Sequence, residues 1–471
     1  MKNSRLVEVF LSFSKKERRG VEHWLCSPFF NRQDVVLKLW QYLRMSWEEL
    51  DVVPSKMQAF KHVFPGQPYN DQLIRLCMSD LYKQLEHYIA YCELTADPTK
   101  IQLHLTRGMR KRNLTSAFQR NLKKAATTAE KNPIRNAEYY QDLYEIQLEQ
   151  YQLTSSDQPT GKLNLQTLAD TMDIAYMASK LRQMCLLVSH QNVYQAGERY
   201  QFGLLEEVIQ YIQTNDLLDI PAISVYYYCF FSLTQPADES HFLQFKKQLF
   251  AYGQQFPPLE LRDLYLLAIN YCVRQANEGK NHYIYELMDL YKEGLKADSL
   301  LENSQLSRFT YHNIAAAGIK TGEYQWVADF IQAYQPALEK KYRESSYSFN
   351  LARLAYSQQQ YDRALPLLQK ANYRDVLLNL AAKTLLLKIY YELEEFNLLY
   401  AHLEAMKSYL RRKHIIGYHR KNYRNIIRYT RKLITTNLFD KVERQALHEL
   451  IQKEEVLTER EWLLEQLKNS E

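Results

Sequence analysis

The apolar residues of this chain return at three- and four-residue steps almost everywhere, and no other feature limits its fold so strongly. Between positions 73 and 93, Leu73, Leu76, Cys77, Leu81, Leu85, Tyr88, Ile89 and Cys92 fall on one stripe. That is the i, i+3, i+4, i+7 pattern of an amphipathic helix. Similar stripes recur from Leu163 to the C-terminus, and strand-like alternation is absent. Turn formers are scarce too, with 12 Gly and 13 Pro in 471 residues. So few cannot readily build an all-β domain or a glycine-rich nucleotide loop. The pattern predicts an all-α chain of on the order of 20 helices, each about 14 residues long and joined by short turns.

The first 98 residues read as a small N-terminal helical domain. They hold Trp24, Trp40 and Trp47, three of the five tryptophans, and two turn clusters, Ser27–Asn31 and Phe64–Asp71. Asn70 or Asp71 is placed to cap the helix that follows. The segments Phe10–Glu17, Ser27–Asn31 and Phe64–Leu81 resemble the start of a group of uncharacterised bacterial helical proteins, a resemblance that implies no activity. Residues 99–153 read as a basic helical connector. A polar loop over 154–162 follows, and residues 163–471 read as an array of helical hairpins.

Within that array one unit stands out. Leu351-Ala352 is followed by Tyr361, Ala364, Leu368 and Ala371. Looser copies run over Asn313-Ile314-Ala315, Gly322-Glu323-Tyr324, Val327 and Ile331, then Leu386-Leu387, Tyr390, Phe396, Leu399 and Leu403. The aromatics Tyr324, Tyr361 and Phe396 are spaced by 37 and 35 residues, and Phe242 and Tyr283 extend the series upstream. A small residue in the first helix lets the second approach, and the aromatic fills the gap where hairpins meet. A lone hairpin cannot bury its apolar face, so several must stack. Pro366 is tolerable only within the first turn of its helix, where N–H groups lack intrahelical partners.

This pattern resembles the tetratricopeptide repeat, clearest over residues 309–406, and so implies a TPR-like α-solenoid whose first helices line a concave groove. In that family the Asn before the Leu-Gly/Ala pair points into the groove. Asn313 and Asn350 hold that place. In the same register His312, Arg353, Tyr356, Lys388 and Tyr391 face the groove, either to hold a partner or merely to be solvated there. Leu385 stands at the Asn position of the third unit, so no full carboxylate clamp is expected.

Charge is uneven although the net charge is only +6. Residues 101–135 carry nine Lys/Arg against one acid, residues 136–300 carry 11 against 21, and Arg411–Lys432 carries nine and no acid. On a helix, Arg420, Arg424, Arg428 and Arg431 fall within about 80° of one another. Ile416, Tyr423, Ile426, Ile427, Thr430 and Ile434 take the other side. Arg112, Arg120, Lys123, Lys124 and Lys131 likewise share a face, with Leu114, Phe118, Leu122, Ala125 and Ala129 opposite. Such faces suit carboxylate or phosphate. They are equally the solvated outer faces of packed helices, or partners for the acidic middle of the same chain.

No catalytic signature accompanies them: no G-x-G-x-x-G, P-loop, H-E-x-x-H or G-x-S-x-G occurs. His414 and His419 lie about 140° apart on a helix, too far to share a metal. Cys26 beside His23 reads as a buried thiol next to a helix histidine. The six scattered cysteines suit reduced, buried thiols in the cytoplasm. The 37 tyrosines, Tyr226–Tyr228 among them, read mostly as packing between hairpins. No apolar run reaches the roughly 20 residues of a membrane span, and no secretory segment is visible.

The expectation is therefore a non-catalytic cytoplasmic scaffold that binds a protein or peptide along a solenoid groove. No cofactor, metal, membrane or small-molecule substrate is expected. The alternative is a nucleic-acid-associated regulator that grips phosphates with its basic helices and reads through a helix-turn-helix-like element around Leu73–Leu85.

Overall fold

The computed structural model describes residues 1, 3–157, 161–193, 200–370, 375–412, 417–437 and 439–468. Among the described residues lie 23 α-helices and a single two-stranded hairpin. The chain is all-α. It divides into two compact units, Met1–Leu181 and Arg182–Glu471.

The first unit opens with α1 (Arg5–Ser12), α2 (Lys15–Cys26), α3 (Asp34–Leu50), α4 (Lys56–Val63) and α5 (Asp71–Ala96). Ser14 and Glu17 form a capping box at the start of α2. Asn70 Oδ1 accepts the N–H groups of Gln72 at 3.0 Å and Leu73 at 3.1 Å, so the cap falls on Asn70. The five helices close on one core that includes Phe10, Leu39, Trp40, Phe60 and Leu81. The seam of α5 is Ile74, Cys77, Met78, Leu81 and Leu85, while Leu76 and Ile89 of the predicted stripe are exposed. The cluster Ser27–Asn31 has a clear physical purpose. Phe30 stacks on Trp24 with ring centroids 3.6 Å apart, and Asn31 Nδ2 donates to the Leu25 carbonyl at 2.9 Å.

Next come α6 (Pro98–Arg110), α7 (Thr115–Lys131), α8 (Ala137–Asp157) and α9 (Leu165–Val193), within which the division between units falls. Leu103, Ala125, Ala129 and Ile146 form the core of α6–α8. The polar loop expected from Thr154 begins later, because Thr154–Asp157 completes α8. The hydroxyls of Thr154 and Ser156 each donate to the carbonyl four residues back, at 2.9 Å, and so stay compatible with the helix. Gln158–Thr160 of that loop lie outside the described residues.

The second unit continues through α10 (Leu205–Thr214), α11 (Pro221–Thr234), α12 (Glu239–Tyr252), α13 (Pro258–Asn277) and α14 (Tyr283–Lys296). The short strands β1 (Leu301–Glu302) and β2 (Gln305–Leu306) follow, then α15 (Arg308–Lys320), α16 (Tyr324–Tyr334), α17 (Arg343–Ser357), α18 (Tyr361–Lys370) and α19 (Val376–Glu392). The unit closes with α20 (Phe396–Arg412), α21 (Gly417–Thr435), α22 (Lys441–Lys453) and α23 (Arg460–Lys468). The hairpin β1–β2 was not anticipated. Asn303 and Ser304 both take positive φ, the geometry of a tight two-residue turn, and two residues per strand are too few to read as alternation.

From α11 to α20 the helices pair in sequence as hairpins, and first members also meet side by side, α15 with α17 and α17 with α19. This is a helical solenoid. The repeat positions pack as such a stack requires: Ile314, Ala315, Val327 and Ile331, then Ala352, Ala364 and Leu368, then Leu387, Leu399 and Leu403 are all buried. Ala371 lies outside the described residues. A Cβ on Gly318 would overlap Val327 Cγ2, so α15 and α16 touch where the small residue sits. Tyr283, Tyr324, Tyr361 and Phe396 each open the second helix of a hairpin. Tyr283 is buried, Tyr324 and Tyr361 are half-buried, and Phe396 is 40% exposed with its ring edge-on to Tyr391. Pro366 departs from expectation, because it lies inside α18 beyond the first turn, where it removes a hydrogen bond to the preceding turn.

Candidate functional site

The first helices α15, α17 and α19 carry a row of polar side chains, and most of those predicted to face a groove stand in it. His312 Nδ1 donates to Asn350 Oδ1 at 3.1 Å. Burial, outweighing that hydrogen bond, pushes the imidazole down to about 4, so the ring is neutral at pH 7. Asn350 is fully buried, and its Nδ2 and the nearby Ser346 Oγ have no hydrogen-bond partner among the described residues. Arg353 is half-buried over the Phe349 ring, and burial lowers its pKa against the pull of Glu459. Asn313 alone of the set is exposed, one residue round the helix from the buried row.

At the far end of the row the chain supplies its own partners. Glu392 accepts hydrogen bonds from the hydroxyls of Tyr356 and Tyr361, the latter at 2.7 Å, and from Trp462 Nε1 at 2.6 Å. Lys388 pairs with Glu459 at 2.8 Å and lies 4.8 Å from the centroid of Tyr356. Tyr391 packs edge-on against Trp462, and burial followed by Glu394 pushes its hydroxyl up to about 12. Residues from α23 and the turn before it thus pack on Lys388 and Tyr391, and Trp462 shares the Glu392 carboxylate with Tyr356. Sequence reading missed Glu392, Glu459 and Trp462, for which no spacing signal exists, because Trp462 is 70 residues from Glu392.

The open end lies at the start of α15. Phe309 is 62% exposed and sits one turn before Asn313 on the same side of the helix. Arg308 holds it in place, with its guanidinium 4.7 Å from the Phe309 centroid, 4.0 Å from that of Tyr342 and paired to Asp375 at 3.0 Å. Beside it opens a concavity of about 510 Å³ lined by Arg262, Glu302, Glu339 and Tyr342 among others. An exposed aromatic ring, an anchored arginine and charges of both signs thus stand together at this end of the row.

The two basic blocks separate. In the first unit, Arg107 and Arg110 of α6 turn inward and clamp the buried Glu149, Nε to Oε distances being 2.9 and 2.7 Å. Burial alone would raise the Glu149 pKa, but the two arginines outweigh it and hold the carboxyl low. Arg112 is not on the face of α7 expected for it. It lies in the turn after α6, where Asn113 takes positive φ, and its Nη1 donates to the Gly108 carbonyl at 2.9 Å. Arg120, Lys123, Lys124 and Lys131 are exposed on α7, opposite buried Phe118, Ala125 and Ala129, whereas Leu114 is exposed before the helix.

In the second unit, Arg420, Arg424 and Arg428 of α21 are exposed and Arg431 is half-buried, opposite buried Ile426, Ile427 and Thr430. Arg428 pairs with Glu454 and Arg431 with Glu404. Ile416 and His414 lie outside the described residues.

His23 and Cys26 are both exposed with no hydrogen bond between them, so Cys26 is not the buried thiol expected. Cys77, Cys185, Cys229 and Cys272 are buried. Among the described residues no cluster of His, Cys, Asp and Glu could hold a metal ion, and no helix is long and apolar enough to cross a membrane. No family model matches the chain, and neither a curated protein nor a solved structure matches it.

Proposed function

We propose that the chain is a non-catalytic scaffold whose hairpin array, TPR-like over residues 309–406, binds a protein or peptide partner. The observation that carries this reading is Phe309. A large apolar ring left 62% exposed costs solvation, yet Arg308, Asp375 and Tyr342 hold its neighbourhood in one arrangement beside the 510 Å³ concavity. Asn313 extends the same exposed side, and the half-buried His312–Asn350 contact ties α15 to α17 behind it. The wall is thus pre-organised, which lowers the ordering cost of binding. The test compares affinity capture by the wild-type chain and by Phe309→Ala/Asn313→Ala. A defined protein retained by the first and depleted at least tenfold by the second supports the reading. Equal recovery by both would end it.

The alternative, a nucleic-acid-associated regulator, draws on the exposed cations of α7 and α21. The predicted helix-turn-helix element has a weaker basis. Leu73–Leu85 lies within the single helix α5, and seven residues, Phe64–Asn70, separate it from α4, more than the three or four of such a turn. Binding to random-sequence DNA and RNA at two salt concentrations tests this alternative. Tight, steeply salt-dependent binding abolished by Arg420→Glu/Arg424→Glu/Arg428→Glu would favour it.

A further inference from the structure

Helix α21 carries Arg420, Lys421, Arg424, Arg428, Arg431 and Lys432 and no acidic residue. Together with Lys407 of α20, five of these line a concavity of about 540 Å³, the other lining residues being Asn425 and Ile427. Among the described residues no carboxylate lines it. Arg428 and Arg431 are already engaged by Glu454 and Glu404 at its margins. Lys421, Arg424 and Lys432 have no ion-pair partner among the described residues, while Lys407 also feels the Glu404 carboxylate.

We infer that this concavity is a docking site for an acidic polypeptide segment, one rich in Glu or Asp. Charge complementarity selects an anion. The choice among anions follows from three features of the site. First, the protein itself shows which anion the walls accept. Glu454 is held by Arg428 and by the Tyr429 hydroxyl at 3.1 Å, and Glu404 by Arg431, so glutamate carboxylates already fit between these side chains. Second, no aromatic ring among the described residues lines the concavity, so these offer no surface for stacking bases, as a single-stranded nucleic acid would use. Third, its floor is Ile427, 6% exposed, with the aliphatic stems of lysine and arginine around it. Peptide methylenes can pack on such a floor while carboxylates reach the rim. The Asn425 amide is turned away, donating to the Val456 carbonyl at 2.8 Å, which leaves recognition to the cations.

This site is distinct in residues from the Phe309 face, and the inference rests on the protein-scaffold reading only in the class of partner. The test is fluorescence anisotropy with a labelled octaglutamate peptide, an octalysine peptide, and random single- and double-stranded DNA of matched charge, at low and moderate salt. The variants are Lys421→Glu/Arg424→Glu, the milder Arg424→Gln and Phe309→Ala, with folding checked by circular dichroism. Octaglutamate is expected to bind and octalysine not to. The charge reversal should cost at least tenfold and Arg424→Gln a smaller loss in the same direction, while Phe309→Ala changes nothing. Should the double variant fail to fold, Arg424→Gln decides. Octaglutamate binding that Arg424→Gln leaves unaltered would overturn the inference, as would no binding at all. DNA binding tighter than octaglutamate at matched charge would assign the concavity to nucleic acid instead. Loss of partner capture in Phe309→Ala/Asn313→Ala with octaglutamate binding intact would separate the two sites.

Discussion

The indole Nε1 of Trp462 donates to Glu392 Oε1 over 2.6 Å, joining α23 to α19 across 70 residues of sequence. The same carboxylate receives Tyr356 and Tyr361, so three donors from three helices converge on one acceptor group. Replacing Glu392 by Ala leaves all three without it. The expected loss is about 2–4 kcal/mol of stability, read as an earlier urea midpoint. Glu392→Gln should lose less, because its carbonyl oxygen still accepts. Equal stability of wild type and Glu392→Ala would contradict this account of how the last helix is held.

His312 makes the array sensitive to acid. Its folded pKa of about 4 lies below the unfolded value of about 6.5, so between those values the unfolded chain binds more protons. The stability from this group is complete above pH 6.5 and is lost as pH falls toward 4. The full effect is about 3 kcal/mol. His312→Gln should flatten the stability profile over that window while leaving its alkaline side unchanged, and denaturant titrations at several pH values check it.

Asp142 in the first unit has the opposite sign. Burial, followed by Asp97, raises its carboxyl to about 6 against an unfolded value of about 4. The carboxyl favours the folded state only while protonated, and that contribution disappears as pH rises from about 4 through 6. Asp142→Asn should therefore stabilise the protein at pH 7 by about 2–3 kcal/mol. At pH 3.5 it should change little. Thermal melts at the two pH values give the comparison.

Two positions test the hairpin packing. Gly318→Ala places a methyl against Val327 and should destabilise by about 1–3 kcal/mol. Pro366 is exposed within α18, so Pro366→Ala restores a helix hydrogen bond without losing core contacts. It should stabilise by roughly 1–3 kcal/mol. Differential scanning calorimetry of the two variants is expected to show melting temperatures on opposite sides of wild type.

The fold was legible because each hairpin needs only local signals. The period placed α15–α20, and Ala315, Ala352, Ala364 and Leu368 are buried where the repeat pattern puts them. The site was legible only in part. His312 meets Asn350 and Arg353 through hydrogen bonds, since neighbouring first helices meet at fixed offsets. It could not foresee Glu392, Glu459 and Trp462, because contacts between α19 and the end of the chain depend on how the array closes. Charge patterning marked α21 and one face of the first block as cationic, but it gave no role to Arg107 and Arg110, which clamp buried Glu149 while the α7 cations stay exposed. Those fates differ by which side of a helix meets a neighbour, and composition does not carry that.

The claim on which the functional reading rests is that a protein partner seats on the open end of α15. A photocrosslinking residue at position 313, in the full chain expressed in the cells that make it, measures this directly. The account predicts a crosslink to one defined protein that disappears in the Phe309→Ala background and persists after nuclease treatment. Recovery of nucleic acid at position 313, or no adduct there while the protein remains folded, would contradict it.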